Sequence, residues 1–121
     1  MLIGIVGPCS SGKSTLAHRL RQQHYRVKET MQEHCSAPDM WQRITHPDVL
    51  VYLDVSEKVA AVREGLQAPS SWWQAEREVR LAHARAHCHL YIDTSDLTPD
   101  EVAARVIQHL AHRRQDKSYG G

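Results

Sequence analysis

The sequence of 121 residues lacks several features that mark other classes of protein. It has three cysteines, an odd number that does not make a disulfide framework, and a reduced cytosol is the simplest setting for it. No apolar run reaches the length of about 18 residues that a membrane span needs. Met1 leads directly into the first predicted strand, so we expect no signal peptide. These absences favour a cytoplasmic protein without a membrane partner.

An excess of charge is also lacking. The chain has 15 Lys and Arg residues against 14 Asp and Glu residues, which gives a formal net charge of +1. Because no global field attracts polyanions, we expect no nucleic-acid partner. The length allows one domain with a single core, which is small for an α/β enzyme.

What the sequence does contain is the phosphate-binding loop motif G-x-x-x-x-G-K-[ST] at residues 7–14, directly after an apolar run at residues 2–6. The backbone N–H groups of such a loop converge on phosphate oxygens, and the following helix points its positive end at them. Lys13 reaches the β- and γ-phosphates, and the Ser14 hydroxyl can bind Mg²⁺. The motif therefore predicts binding of ATP with Mg²⁺, with a glycine-rich turn that binds no ligand as the alternative. The expected contacts are Gly7, Pro8, Cys9, Ser10, Ser11, Gly12, Lys13, Ser14 and Thr15.

Strand and helix patterns alternate along the rest of the chain. The predicted strands are 2–6, 24–29, 49–55 and 90–93, and the predicted helices are 15–23, 57–66, 71–87 and 98–112. Three of these helices carry apolar stripes, which are Leu16, Ala17 and Leu20, then Ala75, Val79, Ala82 and Ala86, and last Val102, Val106 and Leu110. Ser56 and two capping boxes, Ser71–Gln74 and Thr98–Glu101, predict where the last three helices begin. The nearly continuous apolar run at 49–55 is typical of a strand buried on both faces of a parallel sheet. Between 30 and 48 the periodicity is weak, and we expect a loop with a helical turn or two over the site. The pattern predicts an α/β fold, a doubly wound three-layer sandwich with a parallel sheet of about four strands. Its domain spans 1–113, and a flexible tail follows at 114–121.

With these motifs, the chain resembles the small P-loop kinases of the nucleoside monophosphate kinase-like group, which includes adenylate, shikimate, thymidylate and adenylylsulfate kinases. Besides the loop, residues 46–56 are similar to a later core strand of thymidylate-type kinases. Residues 92–102 look like the last strand and helix of the shikimate and adenylylsulfate kinases. The resemblance implies transfer of the γ-phosphoryl group of ATP to a small-molecule acceptor, which the sequence does not identify.

The resemblance also implies roles for residues outside the loop. In such kinases the loop after the last strand lies under the adenine, which here points to Thr94 and Ser95. Arginines that precede that strand act on the transferring phosphoryl group from a lid, and the matching candidates are Arg77, Arg80 and Arg85. The alternative for these arginines is the solvated face of an amphipathic helix.

One element of the kinase group is missing. Between Glu29 and Pro47 no apolar run can form the strand whose terminal acid orders Mg²⁺. We expect the strand that ends at Glu29 to lie beside the first strand instead, so that Glu29 faces the cation opposite Ser14. A solvent-facing glutamate on an edge strand is the alternative. Asp54 ends the strongest strand, where it either binds the cation or caps the next helix.

Two questions stay open at this stage. His83 and His87 have the i, i+4 spacing of a zinc site, with Cys88 and His89 next to them, although exposed histidines on a polar helix are the simpler interpretation.

The favoured function is an ATP-dependent phosphotransferase, but without the usual magnesium-ordering strand two alternatives remain. They are a non-catalytic nucleotide-binding module and a slow NTPase switch.

Overall fold

The computed structural model describes residues 1–8, 10–30, 39–65, 73 and 75–120, with the side chains of 44, 45, 76 and 113–120 left out. Four strands form an all-parallel sheet in the order β2-β1-β3-β4. They are β1 (Leu2–Val6), β2 (Arg26–Glu29), β3 (Val49–Asp54) and β4 (Leu90–Asp93). The helices are α1 (Lys13–Gln22), α2 (Met40–Thr45), α3 (Glu57–Arg63), α4 (Ala82–His87) and α5 (Pro99–Gly120), and a π-helical turn covers Glu76–Arg80. The predicted α/β fold with a small parallel sheet of four strands is confirmed.

One face of the sheet, the first face, is covered by the two longest helices, α1 and α5. The residues of this cluster include Ile3, Ile5, Leu16, Ala17, Leu20, Val51, Leu53, Val102, Val106 and Leu110. The buried positions of α1 and α5 recur at helical spacing, so each helix presents one continuous apolar stripe to the strands. The stripes were predicted from the sequence. α5 runs on to Gly120, past Arg113, where the sequence analysis places the end of the domain.

The opposite face, the second face, is covered by short elements. Trp41 of α2, Leu81 at the N-cap of α4 and Ala84 of α4 pack on strand residues that include Leu50 and Tyr52. A smaller cluster nearby joins Val55, Ala60 and Trp73. Residues 31–38 lie outside the described part of the chain, and of the predicted loop at 30–48 the structure gives α2 and its packing against this face.

The prediction of one continuous helix at 71–87 is wrong. Residues 71, 72 and 74 of its predicted capping box lie outside the described residues, and beyond the box the chain forms the π-helical turn, a bend at Leu81 and the six-residue α4. A π turn adds a residue to the i→i+4 step, so the apolar positions fall out of phase with an ideal helix. Val79, a member of the predicted stripe, is 69% exposed, whereas Leu81 and Ala84 are buried instead.

Two caps were predicted correctly. The Ser56 hydroxyl accepts a hydrogen bond from the Val59 N–H at the start of α3. Thr98 and Glu101 exchange side-chain to backbone hydrogen bonds of 3.1 and 3.2 Å before α5. Within the described part of the chain, no helix is both long and apolar enough to cross a membrane.

Candidate functional site

The loop after β1 is built so that its backbone can come close to β3. A Cβ atom on Gly7 would lie 2.2 Å from the carbonyl oxygen of Leu53, so no side chain fits there. Gly12, the N-cap of α1, has φ 93°, a left-handed conformation that favours glycine. Ser10 has φ 69°, and the Ser11 N–H closes a turn on the Pro8 carbonyl at 3.2 Å. Cys9 lies outside the described residues. The motif thus folds as a tight turn between a strand and a helix.

Lys13 lies back across this loop. Its side chain is buried, and Nζ donates hydrogen bonds to the Gly7 carbonyl at 2.8 Å and the Pro8 carbonyl at 3.1 Å. The first N–H groups of α1 have no partner within the helix and point in the same direction as the positive end of its dipole. An ammonium group and a helix N-terminus at one loop are the donors that bind an anion.

Ser14 and Glu29 meet beside the loop. β2 pairs with β1 so that Glu29 lies opposite Ile5, as the prediction about the missing strand requires. The Ser14 hydroxyl donates to Oε1 of Glu29 at 2.8 Å. A hydroxyl and a carboxylate oxygen are the hard oxygen ligands that Mg²⁺ prefers, and both lie at the carboxyl edge of the sheet.

Asp54 and Arg77, which were predicted to act on the cation and on the phosphoryl group, contact each other. Nε and Nη2 of Arg77 donate to the two carboxylate oxygens of Asp54 at 2.9 and 2.8 Å. The Tyr91 hydroxyl donates to Oδ2, and the Val55 N–H donates to Oδ1 at 2.9 Å. The Asp54 side chain is 3% exposed and that of Arg77 28%. Ser56, not Asp54, caps α3, so the alternative role of Asp54 as the helix cap is not seen.

The protonation states of this cluster follow from these contacts. Burial alone would raise the pKa of Asp54, but the hydrogen bonds from Arg77, Tyr91 and Val55 outweigh it and hold that pKa below its ordinary value. Burial, with the hydrogen bond to Asp54, raises the pKa of Tyr91 to about 12. Burial, followed by the Asp54 charge, raises the pKa of Tyr52, whose ring stacks on Tyr91 with centroids 5.7 Å apart. Asp54 is therefore a charged acceptor surrounded by donors.

A cavity of about 370 Å³ opens between the loop and the start of α5. It is lined by Ser10, Ser11, Gly12, Thr15, Leu16, Arg63, Thr94, Leu97, Pro99 and Val102. The Thr94 hydroxyl donates to the Asp54 carbonyl at 2.8 Å, which ties the β4 loop to β3. The Ser95 hydroxyl donates to Oδ1 of Asp93 at 2.6 Å and accepts from the Ser56 N–H at 2.8 Å. The cavity therefore has one polar wall of loop backbone and one apolar wall from the start of α5.

Arg63 lines the cavity although it is not among the predicted site residues. Its Nη1 donates to the Ser10 carbonyl at 2.8 Å and lies 3.2 Å from the Thr94 hydroxyl, while Nη2 donates to the Thr94 carbonyl at 2.9 Å. One guanidinium therefore joins the phosphate loop to the β4 loop and closes part of the cavity. In the sequence Arg63 lies on the polar side of a short helix, where it is indistinguishable from a surface residue.

The other predicted groups lie elsewhere. Arg80 ends the π-helical turn and Arg85 belongs to α4, and neither lines the cavity beside the loop. His83 accepts a hydrogen bond from the Trp41 indole at 3.1 Å and stacks on His87 with ring centroids 4.2 Å apart. His89 accepts from the Leu50 N–H at 2.9 Å. Among the residues that the structure describes, no group of three or more His, Cys, Asp or Glu is placed to hold a metal ion.

Comparison with known proteins leaves the family of the chain open. No protein-family model matches it, and no curated protein matches it significantly. The function is therefore argued from the geometry of the site.

Proposed function

We propose that the chain is a doubly wound P-loop protein that binds ATP and transfers its γ-phosphoryl group to a small molecule in the cytosol. The observation that carries the proposal is the motif folded as strand, tight loop and helix, with the Lys13 ammonium on the loop carbonyls. A nucleotide phosphate that entered the loop would offer Lys13 stronger, charged acceptors than the Gly7 and Pro8 carbonyls. The resemblance of the sequence motifs to the small P-loop kinases supports the same proposal.

The cavity beside the loop suits the remainder of the nucleotide. It begins at the loop and ends at Leu97, Pro99 and Val102, an apolar wall of the kind that binds a flat base. Arg63 and Thr94 provide the polar side of the same cavity. At about 370 Å³ it is in the range of small-ligand pockets.

Mg²⁺ fits the oxygen donors that Ser14 and Glu29 bring together. When bound, the cation would neutralise charge on the β- and γ-phosphates. Glu29 would replace the acid that the missing strand provides in the kinase group, and the hydroxyl of Ser14 would be its partner. The side chains of Ser14 and Glu29 would orient the triphosphate and exclude water from it.

A non-catalytic nucleotide-binding module or slow NTPase switch is the second candidate function. It is favoured by the contact of Arg77 with Asp54, since a buried carboxylate already neutralises part of the charge that a lid arginine would offer to the γ-phosphoryl group. Phosphoryl transfer to an added acceptor separates the two functions, because the module would bind nucleotide without forming a product.

Calorimetry with Mg·ATP and Mg·ADP tests the proposal. We expect Lys13→Ala to weaken binding by at least about tenfold, because a charge-assisted contact to phosphate is lost. Lys28→Ala is the matched control, since Lys28 is an exposed lysine of β2. A wild-type protein that binds no purine nucleotide would refute the proposal. If the wild type does bind nucleotide, a metabolite screen that follows ATP loss and phosphorylated product together would identify the acceptor.

A further inference from the structure

The two carboxylates on Arg77 hold different edges of its guanidinium. Nε and Nη2 face Asp54, and Nη1 donates to Oε1 of Glu78 at 2.8 Å. The guanidinium is a rigid planar fork, so a ligand bound to one edge fixes the direction of the other. Asp54 therefore fixes the orientation of the Arg77 guanidinium, and Glu78 occupies its Nη1 edge.

These two contacts differ in strength. The Asp54 side chain is 3% exposed, and its pairing with Arg77 uses two hydrogen bonds, with Tyr91 and Val55 holding the same carboxylate. The Glu78 side chain is 60% exposed and belongs to the neighbouring residue. Exposed ion pairs contribute little, whereas bidentate arginine–carboxylate pairs are strong and specific in geometry. An anion that approaches Arg77 would displace Glu78 and leave Asp54 in place.

Asp54, which anchors Arg77, lies beside the phosphate loop through its backbone. The backbone of Asp54 accepts the Thr94 hydroxyl at 2.8 Å, and the same hydroxyl lies 3.3 Å from the Ser11 carbonyl in the loop. The preceding carbonyl, that of Leu53, is the atom against which Gly7 packs. Arg77 is thus anchored to the strand end that supports the loop.

We propose that Asp54 is a positioning residue for Arg77, and that Glu78 occupies the edge of Arg77 that binds the terminal phosphate of the nucleotide. The inference rests on the proposed function and adds to it an internal carboxylate that competes with the nucleotide. Asp54 keeps the Nη1 edge turned outward, and Glu78 neutralises that edge until a phosphate displaces it. The site then discriminates triphosphate from diphosphate, because a diphosphate does not reach Arg77.

The measured quantity is the ratio of the Kd for Mg·ADP to the Kd for magnesium adenylyl imidodiphosphate, a triphosphate analogue that is not hydrolysed. Glu78→Gln should raise this ratio about threefold, the size of an exposed ion pair. Arg77→Met should lower the ratio and abolish the gain from Glu78→Gln in the double variant. Asp54→Asn should lower it about fivefold, since Arg77 is no longer aimed. Glu57→Gln, which removes an exposed charge from the first turn of α3, should leave the ratio unchanged.

The outcomes separate this inference from the proposed function. If the wild type binds both nucleotides and the ratio does not depend on Glu78 or Arg77, the inference is wrong and the proposed function stands. The inference is also wrong if the gain from Glu78→Gln persists without Arg77 or equals that of Glu57→Gln. If the wild type binds neither nucleotide, both fall. Should Asp54→Asn fail to fold, Glu78→Gln and Arg77→Met still decide, because neither side chain is buried in the core.

Discussion

The two faces of the sheet are covered in different ways. On the first face, α1 and α5 bury continuous apolar stripes, and a single cluster extends from Ile3 to Leu110. On the second face, α2, the π-helical turn and α4 are short, and specific polar contacts accompany a smaller apolar cluster. Those contacts are Arg77 with Asp54, Trp41 with His83, and His89 with the Leu50 N–H. The first face supports the phosphate loop, and the second carries the candidate arginines.

From this difference we expect the first face to be the more rigid and the second the more adaptable. A helix with a long apolar stripe is stable as a unit, whereas short segments that depend on a few polar contacts open locally. Elements that move during catalysis come from the less stable part of a protein.

The largest expected effect comes from a matched pair of leucines, one on each face. Leu20 and Leu81 are both fully buried. Leu20→Ala should lower the free energy of unfolding by about 4 kcal/mol, because α1 packs against both the sheet and α5 and cannot move to fill the space that the smaller side chain leaves. Leu81→Ala should cost about 2 kcal/mol, since the short segment around it can collapse into the space. Urea unfolding measures both, and equal losses would show that the faces are equally rigid.

The sequence predicts the first face well because its information is local. Apolar residues at helical spacing identify α1 and α5, and the capping box at Thr98 marks where α5 begins. The phosphate loop is likewise a contiguous motif. The position of β2 beside β1 could also be inferred, because no apolar run between Glu29 and Pro47 can form a strand that would lie between them.

The polar contacts around the site could not be predicted because they join residues far apart in sequence. Arg77 reaches Asp54 across 23 positions, and Arg63 reaches Thr94 across 31. The π-helical turn shifts the phase of the helix, so the stripe through Val79 predicts the wrong buried side. Nothing in the periodicity of the sequence distinguishes such an arginine from a solvated one.

A smaller effect is expected from Arg77→Met on the second face. The variant should lower the free energy of unfolding by about 2 kcal/mol at pH 7, because Asp54 is left buried without its partner. Arg43→Met is the control, since Arg43 forms an exposed i, i+4 pair with Asp39. Its loss should be about 0.4 kcal/mol. Similar losses for both variants would mean that the Asp54 pair does not hold the second face.

The same pair gives a pH dependence with a definite sign. The folded pKa of Asp54 lies below its ordinary value, so the stability that this group provides is present above about pH 4. It is lost as the pH falls through the depressed folded pKa. The difference between wild type and Arg77→Met should therefore shrink as the pH is lowered below about 4, which urea unfolding across that range measures. A difference that stays constant would contradict the assignment of the effect to Asp54.

Nucleotide should order the second face more than the first. With the triphosphate analogue and Mg²⁺, amide hydrogen exchange across 75–87 should slow by about tenfold, because a segment that closes over the bound nucleotide opens to solvent less often. The amides of α1 beyond its first turn and of α5 serve as the internal reference and should change little. Equal protection of 75–87 with and without nucleotide would make it a fixed part of the core and refute its role as a lid.

The smallest expected effect concerns the place where the first face also depends on polar contacts, the start of α5. Thr98→Ala removes the hydroxyl that accepts the Glu101 N–H and should cost about 1 kcal/mol. The hydrogen bonds from the Thr98 backbone N–H and hydroxyl lower the pKa of Glu101, so its contribution is present above its ordinary pKa and lost as the pH falls. Glu101→Gln should cost less than Thr98→Ala, because its carboxylate is exposed, and the loss should vanish in acid. Since Val102 and Val106 hold the helix by packing, neither change should alter exchange in the middle of α5. If either variant frayed α5 as far as Val106, the first face would depend on its cap as the second depends on Arg77, and the contrast between the faces would not hold.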